Sequence, residues 1–206
     1  MPYATVKKFE SEVAKYAGAK YGVAVSSGTN ALFLCFLKAR QKGVTEITLP
    51  ARTYVGVACA AKNAGLDIKF DDEKWAGAYQ IFPTMIVDSA LRFYRDMYIN
   101  LFDDSYYCLS FHSHKHLPIG RGGMILTNDE ETVEWFKRMR FDGRAECSQQ
   151  DDKFTMLGWN MYMTPEQAAR GLTLLSFMPD ENDDIDDYDT YPDLSKYEVF
   201  KNEAVF

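Results

Sequence analysis

The stretch YGVAVSSGTNALFLCFLKAR, residues 21 to 40, changes character twice. Gly22 to Val25 is a short apolar run bounded by a turn signal, the composition of a buried strand. Ser26, Ser27, Gly28 and Thr29 follow, small and polar, and form a turn. From Asn30 onward the chain is mostly apolar and predicts a helix. A strand, a tight turn and a helix make one α/β unit. The first turn of such a helix offers free backbone N–H groups and the positive end of the helix dipole, so Gly28, Thr29 and Asn30 are candidates to receive an anion. Ser, Gly and Thr are also ordinary capping residues, so the feature is weak by itself.

Outward from this unit the pattern repeats. Upstream, Phe9, Val13, Tyr16 and Ala17 follow helical spacing. Downstream, EITLP (46–50) reads as a strand, YVGVACAAKNAG as a helix ending at Gly65, and LDIKF as another strand. TMIVDSA, YYCLSF and GGMILT read as further short strands, with helices from Asp129 to about Arg140 and from Thr164 to about Phe177. This alternation predicts an α/β fold: a three-layer α/β/α arrangement with a mainly parallel sheet and helices on both faces. Ligands of such sheets bind beyond the carboxyl ends of the strands.

At 206 residues the chain suits one domain with a sizeable core, and 47% hydrophobic content leaves little room for disorder. A formal charge of -7 opposes the basic surface that duplex nucleic acid requires. Cys35, Cys59, Cys108 and Cys147 are scattered, the first three within apolar segments, and read as reduced core thiols of a cytoplasmic protein. Neither an apolar signal core nor a run long enough to span a membrane is visible. After Met178 the composition turns to PDENDDIDDYDTYPD. The expected organisation is therefore a binding domain over 1–178 and an acidic tail over 179–206, the latter read as a solvated linker, a poorly ordered end or an interaction tail.

All three histidines lie in HSHKH at 112 to 116. His112, His114 and His116 would share one face of a strand, as metal ligands do, but Pro118 follows closely and no fourth ligand stands at a suggestive spacing. They read as loop residues, and no metal is expected. The glycines of GRGG at 120 to 123 fit a turn rather than a nucleotide P-loop. Asp88 closes the apolar run TMIV and so stands at a strand end, where a helix cap is the commoner role.

The order of these pieces is more informative than any one of them. YGVAVSSGTNAL, LPARTYVGVACAAKNAGL, IVDSA, SFHSHKHLPIGRGGMILTNDEE and LGWNMYMTPEQAARGL, spread from residue 9 to about 175, resemble the DegT/DnrJ/StrS sugar aminotransferases, pyridoxal-phosphate enzymes of fold type I. The resemblance implies that Lys115 carries the pyridoxal 5'-phosphate as a Schiff base and that Asp88 pairs with its pyridinium nitrogen. A carboxylate there keeps the nitrogen protonated and the ring an electron sink. Lys115, once freed, would shuttle the substrate's proton, which calls for an amine of lowered pKa. By the same resemblance Gly28, Thr29, Asn30 and Ser110 hold the phosphate. Tyr54 stacks on the ring, Ala90 lies beside it, and Asn160 reaches the phosphate of the other subunit of a homodimer with shared sites. The expected reaction moves an amino group from a small-molecule amino donor to a keto or aldehyde acceptor, such as a keto sugar. The alternatives are a racemase or lyase using the same lysine, and a non-catalytic relative that binds a sugar or a partner.

Some positions depart from the family pattern. Leu91 stands where Gln or His is usual, Arg121 where Gly-Glu-Gly-Gly is usual, and Tyr162 where Asn-x-Arg puts arginine. A strand and helix unit is expected to be missing between Phe70 and Ile86, and the small C-terminal domain to be absent beyond about 178. The donor carboxylate needs a cation, for which Arg52, Arg92, Arg95, Arg121 and Arg144 are unranked candidates.

Overall fold

A computed structural model describes residues 3–99, 105–148 and 150–201. Along these residues the elements are α1 (Tyr3–Ala17), β1 (Tyr21–Val25), α2 (Gly28–Gln41), β2 (Glu46–Pro50), α3 (Val55–Asn63) and β3 (Asp67–Asp71). β4 (Tyr79–Ile81), β5 (Ile86–Asp88), β6 (Tyr106–Ser110), β7 (Gly123–Thr127), α4 (Glu130–Met139) and α5 (Pro165–Leu175) complete them, and 3₁₀ turns follow at Tyr188–Thr190, Leu194–Lys196 and Glu198–Phe200. The caps are built from the residue types that favour them. Asp129 accepts the Thr132 N–H ahead of α4, and Thr164 and Gln167 form a reciprocal capping box with Pro165 at the start of α5.

The main sheet runs β1-β7-β6-β5-β4, and the β2-β3 pair joins it through a bridge in which the Thr48 N–H donates to the Phe82 carbonyl at 2.7 Å. β1, β2, β3, β5 and β6 point one way, while β4 and β7 point the other. Most strands are thus co-directional, as expected, yet only β5–β6 and β2–β3 are parallel neighbours. The reason is connection length. The links from β4 to β5 and from β6 to β7 contain no helix, and a parallel neighbour needs a crossover. β4 itself was not expected; it lies between Phe70 and Ile86, where a strand and helix unit was expected to be missing.

Alternate residues feed two cores. Val23, Val25, Cys108 and Ile125 point toward α2, α3 and α4, whereas Ala24, Leu109, Met124 and Leu126 point toward α1 and α5. This is the three-layer α/β/α arrangement. A buried ion pair locks one face to the sheet: Glu10 of α1 accepts from Arg140 and from the Ala24 N–H, and Arg140 also donates to the Ala24 carbonyl.

Three further expectations change. α2 begins at Gly28, not Asn30, because Ser27 takes the capping position. Cys59 and Cys147 are exposed rather than in the core; Val57, Ala58, Ala60 and Ala61 fill the buried side of α3 and turn Cys59 outward, and Cys147 lies in the polar loop after α4. The acidic segment does not trail away as a loose linker. Leu194 and Phe200 are in the core, Arg92 grips Asp184, and the Ile185 N–H donates to the Leu91 carbonyl at 3.0 Å. Its last residues, 202–206, lie outside the described residues.

Candidate active site

A cavity of ≈ 590 Å³ opens beyond the carboxyl ends of β1, β5 and β6 and the start of β7. Gly28, Thr29, Tyr54, Asp88, Ala90, Ser110 and Lys115 all line it. Asn30 and Asn160 do not.

The α2 end of the cavity is built by close packing. Ser27 Oγ accepts the Asn30 N–H at 3.1 Å, and Asn30 Nδ2 donates to Ser26 Oγ at 2.8 Å, so Asn30 is spent on the turn itself. The N–H groups of Gly28 and Thr29 have no carbonyl one turn back and stand at the cavity. A Cβ at Gly28 would meet the Ser110 Cβ at 2.8 Å, so the strand end and the helix start approach to a distance only glycine permits.

Asp88 is buried at the end of β5, with 6% of its surface exposed. Oδ1 accepts the Ala90 N–H at 3.0 Å and Oδ2 accepts the Tyr79 hydroxyl at 3.0 Å. Tyr79 has a single hydroxyl proton, so the 2.6 Å contact with Thr53 Oγ1 is a bond donated by threonine. Burial pushes the Asp88 carboxyl up from the ordinary range, opposed by the Ala90 N–H, the Tyr79 hydroxyl and the Lys115 charge. Burial also drives Tyr79 well up, with Asp88 adding to it.

Lys115 sits in the turn after β6, where its N–H donates to the His112 carbonyl at 3.0 Å. Its half-buried amine has a lowered pKa because burial disfavours the ammonium, against the pull of Asp88 and Asp187. Ser110 closes β6, and its Oγ accepts the His112 N–H at 3.5 Å.

Aromatic rings close the outer side. Tyr54 precedes α3 and is 55% exposed. Trp75 lies parallel to Tyr191 with centroids 6.1 Å apart and is tilted on Tyr79 at 4.7 Å. Trp75 Nε1 donates to the Arg52 carbonyl at 2.9 Å, and Arg52 Nη1 donates to the Tyr191 carbonyl at 2.6 Å. The acidic segment therefore supplies part of the site. Sequence reasoning missed Thr53, Tyr79, Trp75 and Tyr191; Thr53 alone had a signal, as the neighbour of Tyr54. Leu91 presents an apolar side chain to the cavity.

His112 lines the cavity, with the His114 ring 5.5 Å from its own, while the His116 ring bonds the Asp183 carbonyl at 2.9 Å. Among the described residues no group of three or more His, Cys, Asp or Glu side chains is placed to hold a metal ion. Asn160 Nδ2 donates to Asp142 Oδ2 at 3.0 Å on the surface. Its neighbour Trp159 packs edge-on against Phe33 of α2 at 5.1 Å.

Comparison with known proteins agrees with this geometry. The chain is 26% identical over 212 residues to the GDP-perosamine synthase of Escherichia coli O157:H7, covering 82% of this chain and 57% of that one. It is 25% identical to a UDP-4-amino-4,6-dideoxy-N-acetyl-beta-L-altrosamine transaminase of Campylobacter jejuni, covering 82% and 56%. The chain thus spans little more than half the length of the curated relatives it matches. Its fold superimposes on that of a sugar aminotransferase from Micromonospora echinospora with a TM-score of 0.70 at 19% identity, over 85% of this chain and 61% of the other. The DegT/DnrJ/EryC1/StrS aminotransferase family matches residues 1–87 and 94–186, a span that includes the start of α2, Ser110 and Lys115 and skips residues 88–93, and to that family the chain belongs.

Proposed function

We propose that the chain binds pyridoxal 5'-phosphate and serves an aminotransferase reaction between an amino acid and a keto or aldehyde acceptor, a keto sugar being the acceptor class suggested by the relatives. The observation that carries this reading is the convergence of Asp88, Lys115 and the Gly28–Thr29 helix start on one cavity. The residues present fit the cofactor. The glycine-only approach of α2 to Ser110 leaves N–H groups and a hydroxyl for a phosphate, and the buried carboxylate of Asp88 suits a protonated ring nitrogen. When bound, the cofactor supplies an electron sink for the carbanion left when the substrate's α-proton is removed.

The chain's own residues would do the rest. Lys115 Nζ carries the cofactor, and its burial-lowered pKa makes it a competent base to take up and return the proton. Asp88, held by Tyr79 and the Ala90 N–H, would pair with the ring nitrogen of the bound cofactor. Tyr54, Trp75 and Tyr191 line the cavity; Tyr54 would support one face of the cofactor ring, and Trp75 and Tyr191 would exclude water on the outer side.

We assign the binding unit to 1–178 and regard the acidic segment beyond it as a strap over the cavity. A homodimer with shared sites goes with the reading: Asn160 is surface-exposed, and its neighbours Leu157, 92% exposed, and Trp159 would be covered by a second copy. A cytoplasmic location is part of the same reading, resting on four scattered cysteines with no pairing motif. Among the described residues no helix is long and apolar enough to cross a membrane.

The test is a half-reaction. Cofactor-loaded protein mixed with an amino acid such as L-glutamate should convert the cofactor to its amine form and release one keto acid per site. Ammonia release or racemised amino acid instead would assign the lysine to lyase or racemase chemistry. Cofactor binding with no reaction across a broad donor panel would favour a non-catalytic relative.

A further inference from the structure

Five arginines are candidates for an anion contact, and the structure separates them. Arg92 grips Asp184, Arg95 pairs with Asp180, and Arg144 reaches Asp152 at 3.4 Å while lying over the Phe141 ring. Arg52 donates to the Tyr191 carbonyl. Arg121 lines the cavity, and among the described residues no carboxylate lies within ion-pair distance of it. Its side chain makes one hydrogen bond there, from Nε to the Ser26 carbonyl at 3.3 Å.

The backbone around Arg121 is held on both sides. The Gly120 N–H donates to the Phe111 carbonyl at 3.1 Å, and the Phe111 N–H donates to the Gly122 carbonyl at 2.9 Å. Gln167 of the α5 capping box donates to the Arg121 carbonyl at 3.2 Å. Gly122 has φ 150, and a Cβ on it would meet Met163 Cε at 2.7 Å. The contact with Ser26 brings the guanidinium to the α2 end of the cavity, because Ser26 immediately precedes the capping Ser27. Gly123 is packed against that same turn: a Cβ on it would lie 2.4 Å from the Ser27 carbonyl carbon.

We propose that Arg121 is the cationic side of the phosphate cradle whose other sides are Gly28, Thr29 and Ser110, and that it binds the cofactor phosphate. The inference rests on the cofactor reading above. A phosphate dianion at a helix start is only partly balanced by N–H dipoles, and a guanidinium with Nε engaged still has both Nη groups to offer. Gly122 lets the backbone pass close to Phe111, just after β6, and Gly120 adopts a φ of 108 that favours glycine.

The test compares pyridoxal phosphate with pyridoxal, which lacks the phosphate, by absorbance titration of the cofactor-free full chain and of Arg121→Gln and Arg121→Lys. Arg121→Gln is expected to weaken pyridoxal phosphate binding by about 10- to 100-fold and leave pyridoxal binding unchanged. Arg121→Lys should fall between, since it keeps the charge and loses the fork. Wild-type affinity for pyridoxal phosphate in Arg121→Gln would overturn the inference, even with weakened amino-donor binding, which would place the arginine on substrate. Equal loss of both ligands would overturn it too, as a structural role. A wild-type protein that held pyridoxal phosphate no more tightly than pyridoxal would sink the cofactor reading itself.

Discussion

At neutral pH Asp88 is asked to be charged in a place that disfavours charge. Its folded pKa is raised, chiefly by burial, above its unfolded value. The associated stability is therefore fully present below the unfolded carboxyl pKa and is lost as pH rises through the folded one. Asp88→Asn should accordingly raise the melting temperature of the cofactor-free protein at pH 7 while lowering aminotransferase turnover on the order of 10²–10³-fold, the scale of a lost electrostatic partner. A variant with lowered melting temperature and unchanged turnover would contradict the role. Lys115 is displaced in the opposite sense, its amine losing the proton more readily than ordinary lysine. Cofactor attachment followed against pH should show an onset below the usual lysine range. Asp187→Asn, by removing a charge that favours the ammonium, should move that onset lower still. Both residues were legible in the sequence from their place in an ordered set of motifs. Tyr79 and Thr53, which hold Asp88, were not, because a hydrogen-bond chain between residues far apart in the sequence leaves no local pattern.

At the scale of the element, the start of α2 carries the account. Ser27→Ala removes the cap and should cost about 1 kcal/mol by chemical denaturation. Gly28→Ala drives a methyl group against Ser110 and should cost about 1–3 kcal/mol, with a larger proportional loss of pyridoxal phosphate affinity. If Gly28→Ala bound the cofactor normally, the close approach would not matter to the site. The strand, turn and helix here were readable because apolar composition and turn chemistry change abruptly, although capping by Ser27 moved the start two residues ahead of Asn30. β4 was unreadable because an alternation of only three residues does not stand out, and Trp75 between β3 and β4 gains its role from partners distant in sequence, Arg52 and Tyr191. Cys59 failed for the related reason that the apolar run VGVACAA of α3 does not declare which side faces out.

At the scale of the molecule, the acidic segment lines part of the cavity through Tyr191, and the proposed homodimer would complete it with a second copy. Composition marked the segment as soluble and loose, yet widely spaced anchors such as Leu194 and Phe200 suffice to seat it. Ending the chain at 178 should remove those two buried side chains, at roughly 3–6 kcal/mol of stability together, and open the site by deleting Tyr191. Shared sites predict complementation. Lys115→Ala and Asn160→Ala chains, each impaired alone, should on mixing regain up to about a quarter of wild-type activity, because half of the dimers then carry one intact site. No recovery, with mixed dimers demonstrated, would confine each site to one chain. The most direct test of the central claim is borohydride reduction of the protein incubated with pyridoxal phosphate, followed by peptide mapping. The account predicts a stable adduct on Lys115 in the wild-type chain and none in Lys115→Ala. An unmodified Lys115 at saturating cofactor, or an adduct formed equally well without it, would contradict the account.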